Sequence, residues 1–292
     1  MIKVTGLYVY PVKSLGGISL TEAQLGRRGL MYDREWLIVD KNNRFVSQRE
    51  IAKMSLIKTE IDEDKGSLLL RLPVDAQTKT TAAGMGGGHG MNKNGGQDFD
   101  VLSVPLKQNQ KAETISVTVW SDNARAIVEE DSINAALSDF LQADLRLTRM
   151  APDHRRRVDG RYAPGKENIV GFADAFPLLI IGEESLDDLN DRLEYPILMN
   201  RFRPNITIRG GGAFGEDGWS KIKIGEVEVT IVKPCDRCVI TTIDQESSVQ
   251  GKEPLRTLAN YRKKDGKILF GQNAVFHYPG KLAIGDTISL LP

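Results

Sequence analysis

Apolar and polar residues alternate in short runs through much of the chain. Residues 4–12, 19–25 and 34–40 carry β-branched and aromatic side chains at strand spacing, and Asp40-Lys41-Asn42-Asn43-Arg44 supplies hairpin chemistry ahead of Phe45-Val46. Residues 55–61, 67–72 and 115–120 continue the pattern. With few helix signals between them, these runs predict an antiparallel sheet or small barrel. The period then changes. Ile133, Ala136, Leu137 and Phe140 share one face of a helix expected over 132–141 with Ser132 as its cap, and Leu186, Leu189 and Leu193 line a second over 183–193 with acidic first turns. Strand runs return at 205–209, 222–224, 227–232, 239–243 and 287–290, with one more helix over 253–261. The reading is two β-rich bodies, residues 1–120 and 121–292, without an internal repeat of fixed period.

Residues 78–97 follow neither period. Their glycines, among them Gly84-Met85-Gly86-Gly87-Gly88-His89-Gly90, predict a mobile surface insertion. The run lacks the Lys-Ser/Thr ending of a phosphate-binding loop, and His89 has no Cys, His or acid at ligand spacing. The chain has 292 residues, 40% hydrophobic and 27% charged, which suits a globular protein with a sizeable core. Lys and Arg total 39, as do Asp and Glu, so the net charge is zero and neither nucleic acid nor an anionic membrane is attracted globally. Any anion site must be local. The longest nearly unbroken apolar stretch, 175–181, is far shorter than the ~20 residues of a spanning helix. No basic head and apolar h-region open the sequence, which makes the cytoplasm the expected location.

Only two cysteines are present, Cys235 and Cys238, in Pro234-Cys235-Asp236-Arg237-Cys238. This spacing suits a redox dithiol, half a zinc site, or a structural pair with one reactive thiolate. Zinc needs about four ligands, and three scattered histidines with no second cysteine pair do not supply them. A thioredoxin-like dithiol opens a helix after a strand, whereas 238–243 reads as the start of a strand. Arg237 beside Cys238 favours a thiolate, a soft ligand for a transition metal whose other ligands come from a cofactor. Inert packing of both cysteines is the remaining reading.

Cationic side chains recur at expected strand ends. Lys13 and Ser14 follow one in Tyr10-Pro11-Val12-Lys13-Ser14, and Arg34 precedes another in Asp33-Arg34-Glu35-Trp36. These three suit a phosphate, or alternatively surface positions and local salt bridges. Asn200-Arg201-Phe202-Arg203-Pro204-Asn205 adds two guanidiniums before a strand, and Arg155-Arg156-Arg157 reads as a solvated basic loop.

Taken in order, YPVKS, DREW, RFRPNI, PCDRCVITTID (234–244) and KEPLRTLANYR (252–262) resemble the MOSC family over nearly the whole chain, above all its amidoxime-reducing components and bacterial reductases of N-hydroxylated compounds. The resemblance implies a β-rich α+β fold, with an N-terminal MOSC-associated β-barrel docked on a MOSC β-barrel and peripheral helices. It implies a molybdenum cofactor in the molybdopterin form, and a detoxifying reductase acting on hydroxylaminopurines or amidoximes. Cys238 would be the protein thiolate on molybdenum and Cys235 its supporting neighbour. Lys13, Ser14 and Arg34 would hold the phosphate end, Arg203 and Arg237 would line the cleft, and Asp174 of Ala173-Asp174-Ala175-Phe176-Pro177 would be a second catalytic group near the metal. Trp120-Ser121 would face the cofactor or, alternatively, belong to the core. No cysteines remain for a [2Fe–2S] cluster, so electrons would come from an external flavoprotein or ferredoxin-type donor. The alternatives are a non-catalytic cofactor carrier, a sulfur-transfer protein, or a metal-free thiol oxidoreductase using both cysteines.

Overall fold

In the computed structural model, residues 1–74, 97–109, 112–163 and 168–292 are described. The expected insertion, His89 included, lies outside them except for Gln97. Seven strands close into a barrel. In ring order they are Leu178–Gly182, Ile206–Arg209, Ile2–Val9, Thr287–Leu291, Lys221–Ile224, Val227–Asp236 and Lys267–Phe276, the last pairing back onto the first. Only Leu178–Gly182 and Ile206–Arg209 run parallel, and the helix Glu183–Asn190 lies in the crossover that such a pair requires. Alternate side chains point inward, so Val4, Leu7, Ile180, Ile208, Ile222, Ile224 and Val229 share one buried core.

The N-terminal body is a half-barrel of two sheets. One contains, in order, Trp36–Asp40, Leu145–Met150, Asp122–Val128 and Thr114–Val119; the other Lys58–Asp62, Ser67–Pro73 and Phe99–Pro105. Trp36, Ile38, Leu68, Leu70, Val104 and Leu147 fill the space between them, together with Ile133 and Leu137 from the helix Asp131–Leu141. The four-stranded sheet straddles residue 120, since the hairpin partner of Thr114–Val119 lies beyond it. The first strand, Ile2–Val9, belongs to the other barrel.

The β-rich fold class with two barrel-like bodies and peripheral helices is therefore what the sequence predicts. The Asp40–Arg44 turn forms as expected: Asp40 Oδ1 accepts from the Asn42 and Arg44 amides at 2.8 and 2.9 Å, and Asn43 takes a φ of 60°. Residues 239–243 differ. They form the short 3-10 helix Val239–Thr242, in which the Thr241 and Thr242 hydroxyls donate to the carbonyls of Cys238 and Val239 at 3.0 and 2.7 Å. Threonines that bond their own backbone this way compete with the extended state. The strand instead precedes this turn and ends at Asp236. Ser132 is not a cap either. The helix begins at Asp131, with Glu130 in the cap position and no side-chain cap bond.

Among the described residues no helix is long and apolar enough to cross a membrane. The barrel closes tightly at Gly271, where φ is 78° and a Cβ would lie 2.6 Å from Ile181 Cγ1 and 3.0 Å from the Ile180 carbonyl oxygen. Gly271→Ala should cost about 2 kcal/mol, from both the left-handed backbone and the contact. Thermal unfolding measures this, and an unchanged midpoint would show that the closure can relax.

Candidate functional site

The two bodies meet along a cleft with about 830 Å³ of empty space, counted to its open mouth. The N-terminal half contributes Lys13, Ser14, Arg34 and Arg49, whereas the C-terminal half contributes the 173–176 strap, Arg201, Arg203 and the Cys235–Cys238 corner. Lys13 and Arg34, distant in sequence, come together because residues 10–13 run beside 34–36. Arg34 N donates to Tyr10 O, Trp36 N to Pro11 O and Lys13 N to Trp36 O, at 2.9 to 3.0 Å. Cys235 closes the long strand, Asp236 ends it, and Cys238 begins the helical turn, so both sulfurs sit where the chain changes direction. Of the residues the resemblance singles out, Lys13, Ser14, Arg34, Asp174, Arg203, Cys235, Arg237 and Cys238 line this one cleft, whereas Trp120 and Ser121 are not among its lining residues.

Six cations line it against two carboxylates, Asp174 and Asp236, although the chain as a whole is neutral. Their repulsion is offset group by group. Arg34 Nη1 donates to both Asp33 oxygens at 2.6 and 2.7 Å, and the Arg34 and Arg203 guanidiniums each lie 4.2 Å from the Tyr10 ring centroid. Cation–π contact with a buried ring thus brings two like charges together. Burial pushes the Tyr10 phenol up to about 12 despite both arginines, and burial likewise draws Arg203 down to about 10. Arg201 is held by Asp244 at 2.9 Å and by the Thr242 carbonyl at 3.2 Å. The local salt-bridge reading of Arg34 is thus correct as well as its place in the cleft.

Lys13 is almost fully buried. Its ammonium donates to the Phe172 carbonyl at 2.9 Å and to the Asp174 carboxylate. Trp120 Nε1 donates to the same carboxylate oxygen at 3.0 Å. Desolvation works to raise the Asp174 carboxyl, but Lys13 and Trp120 prevail and hold it well below the usual carboxylate range. Desolvation lowers Lys13, and Asp174 opposes that shift. Trp120 is no core residue. It is 48% exposed, 4.9 Å from Phe45 and 4.7 Å from the Arg49 guanidinium. Ser14, Arg34, Trp120 and Arg203 all take positive φ, from 49° to 71°. Such conformations cost roughly 1–3 kcal/mol each and persist where surrounding structure enforces them.

The cysteines depart from expectation in one respect. Arg237 Nη1 donates to Cys235 Sγ at 3.0 Å, whereas Cys238 Sγ accepts from Arg49 Nη2 at 3.1 Å. Adjacency along the chain does not put Arg237 on Cys238, because Arg237 turns back to the Phe202 carbonyl at 2.6 Å. Both cysteines are free thiols. Arg156 departs too: it is buried rather than solvated, donating to Asp122 and to the carbonyls of Gly171, Ala173 and Asp174, and it fixes the strap that carries Asp174. Arg49 was not legible as a site residue. It lies in no motif, and its sulfur partner is 189 positions away.

Replacing Asp174 by the isosteric Asn isolates its charge. A carboxylate held below its ordinary value of 3.8 stabilises the fold above that pH and loses this contribution as pH falls beneath it. Asp174→Asn should therefore lower the melting temperature at pH 7, and the gap from wild type should begin to narrow near pH 4 and keep narrowing as pH falls further. Parallel melting curves across that range would contradict the assignment.

Residues 1–144 match the family model for the MOSC N-terminal beta barrel domain, and residues 167–289 that for the MOSC domain. The chain is 32% identical over 307 residues to human mitochondrial amidoxime-reducing component 1, covering 99% of this chain and 82% of that one. The mouse protein of the same name is 31% identical with the same coverage. A rice molybdenum cofactor sulfurase is 30% identical over 286 residues, covering 92% of this chain, which spans about a third (32%) of the sulfurase.

Proposed function

The chain belongs to the MOSC family, and from that premise we propose that it is a molybdenum-cofactor-dependent reductase of N-hydroxylated compounds fed by an external electron-donor protein. The amidoxime-reducing relatives, matched almost end to end, favour this over the sulfurase, of which the chain spans only a third. One observation carries the reading: two soft sulfurs, Cys235 and Cys238, stand together in a cleft lined by six cations.

The donor set fits such a cofactor. Among the described residues no group of three or more His, Cys, Asp or Glu could hold a bare metal ion, so the cleft offers a cysteine pair rather than a cage. Two buried guanidinium nitrogens, Arg203 Nη2 and Arg237 Nε, have no hydrogen-bond partner. Unpaired buried donors are costly, and an anionic ligand satisfies them. Lys13, Ser14, Arg34 and Arg203 would grip the cofactor's phosphate end, Arg237 would flank it, and Cys238 would ligate the metal.

When bound, the cofactor would supply a two-electron redox centre for reduction of the N–O bond. The balance is R₂N–OH + 2 e⁻ + 2 H⁺ → R₂NH + H₂O, with the electrons restored by a flavoprotein or ferredoxin-type donor. The protein's part is positioning and proton control. Asp174, ionised and open at the mouth, orders Lys13 and Trp120 around the strap. Its low proton affinity suits it to hold water or an N–H group of the substrate by accepting hydrogen bonds, rather than to donate a proton itself.

Protein from a cofactor-competent host should contain about one molybdenum per chain and reduce an aryl amidoxime with an artificial donor. Cys238→Ala should lose that activity by roughly 100-fold or more, and Arg203→Gln should lower metal content. Stoichiometric metal without reduction would reject the enzyme in favour of a carrier that passes intact cofactor to an apo-enzyme.

A further inference from the structure

Arg49 is the cleft cation whose guanidinium donates to Cys238. Among the described residues it forms no salt bridge with a carboxylate; its guanidinium lies 3.1 Å from the Cys238 sulfur and 4.7 Å from the centroid of the Trp120 ring. Its position is nonetheless fixed. The preceding residue, Gln48, is buried, donates to the Ser14 carbonyl at 2.7 Å, and exchanges hydrogen bonds with Gln245 at 3.2 and 3.1 Å across the two bodies. Trp120, against which the guanidinium lies, is anchored in turn by its N–H bond to Asp174 and by its contact with Phe45. The carboxylate that pairs with Lys13 and the sulfur of Cys238 are thereby joined through one indole and one guanidinium. Cys235, by contrast, receives an arginine already engaged with a backbone carbonyl.

A charged N–H donor on a metal-ligating sulfur withdraws electron density and stabilises the more electron-rich state of the metal. Resting on the functional reading above, we propose that Arg49 is a positioning residue for Cys238 that raises the reduction potential of the bound molybdenum through this N–H···S contact, with Trp120 holding the guanidinium in place. The residue comes from the N-terminal body and the sulfur from the C-terminal one, so the potential depends on the docking of the two.

The test is redox potentiometry of the purified holoprotein, with metal content measured on the same samples. Arg49→Met removes both charge and donor while keeping the side-chain stem, and Arg49→Gln keeps an N–H donor without the charge. The midpoint potential should fall in both, by about tenfold in the one-electron equilibrium constant (about 59 mV) for Arg49→Met and by less for Arg49→Gln. Trp120→Leu, which frees the guanidinium, should move it the same way. Wild-type potentials in metal-replete Arg49→Met and Arg49→Gln overturn this inference alone. If Arg49→Met fails to hold metal, an unmoved potential in Arg49→Gln suffices to overturn it. Wild-type protein without molybdenum overturns the functional reading and this inference with it.

Discussion

The structure is governed by mutual repulsion among cations gathered at one seam. Lys13, Arg34, Arg49, Arg201, Arg203 and Arg237 share a cleft in a chain without net charge. Four kinds of device restrain them: a carboxylate for Lys13, Arg34 and Arg201, the Tyr10 ring for Arg34 and Arg203, an indole for Arg49, and a backbone carbonyl for Arg237. Compensation is incomplete. Arg203 and Arg237 each keep a buried nitrogen without a partner, and four residues around the cleft hold left-handed backbone. Such residual cost is of the kind that an anionic ligand would relieve.

The fold supplies the rigidity this requires. A closed barrel fixes the Cys235–Cys238 corner at the end of a long strand, and the pairing of residues 10–13 with 34–36 fixes Lys13 and Arg34 on the facing body. Arg156 ties the strap between them by three carbonyls. Catalytic constellations depend on supporting side chains locked by packing and hydrogen bonds, and here that support crosses the seam repeatedly.

Much of this was legible in the sequence because it is local. Alternating runs gave the strands, the Asn-rich turn gave its hairpin, and charges at strand ends marked Lys13, Arg34 and Arg203. What failed depended on side chains choosing partners that the linear order does not name. Val239-Ile240-Thr241-Thr242 has β-branched composition, yet two hydroxyls turn it back on its own carbonyls. Arg237 adjoins Cys238 but serves Cys235, while Arg49, in a loop without any motif, reaches Cys238. Arg156 sits in a run that reads as solvated, and only the tertiary fold shows four polar groups awaiting it.

The crossing of Ile2–Val9 into the far barrel bears on how the molecule is made. That strand lies hydrogen-bonded between Ile206–Arg209 and Thr287–Leu291. During synthesis Ile2–Val9 must wait, one edge unpaired, until Thr287–Leu291 has emerged. The half-barrel can collapse around its own contacts meanwhile, but the barrel cannot shut until late, and assembly of the seam is deferred with it. A nascent chain of this topology completes its cation-lined cleft only once residues 287–291 are in place, so any ligand gripped from both sides must be acquired after that point.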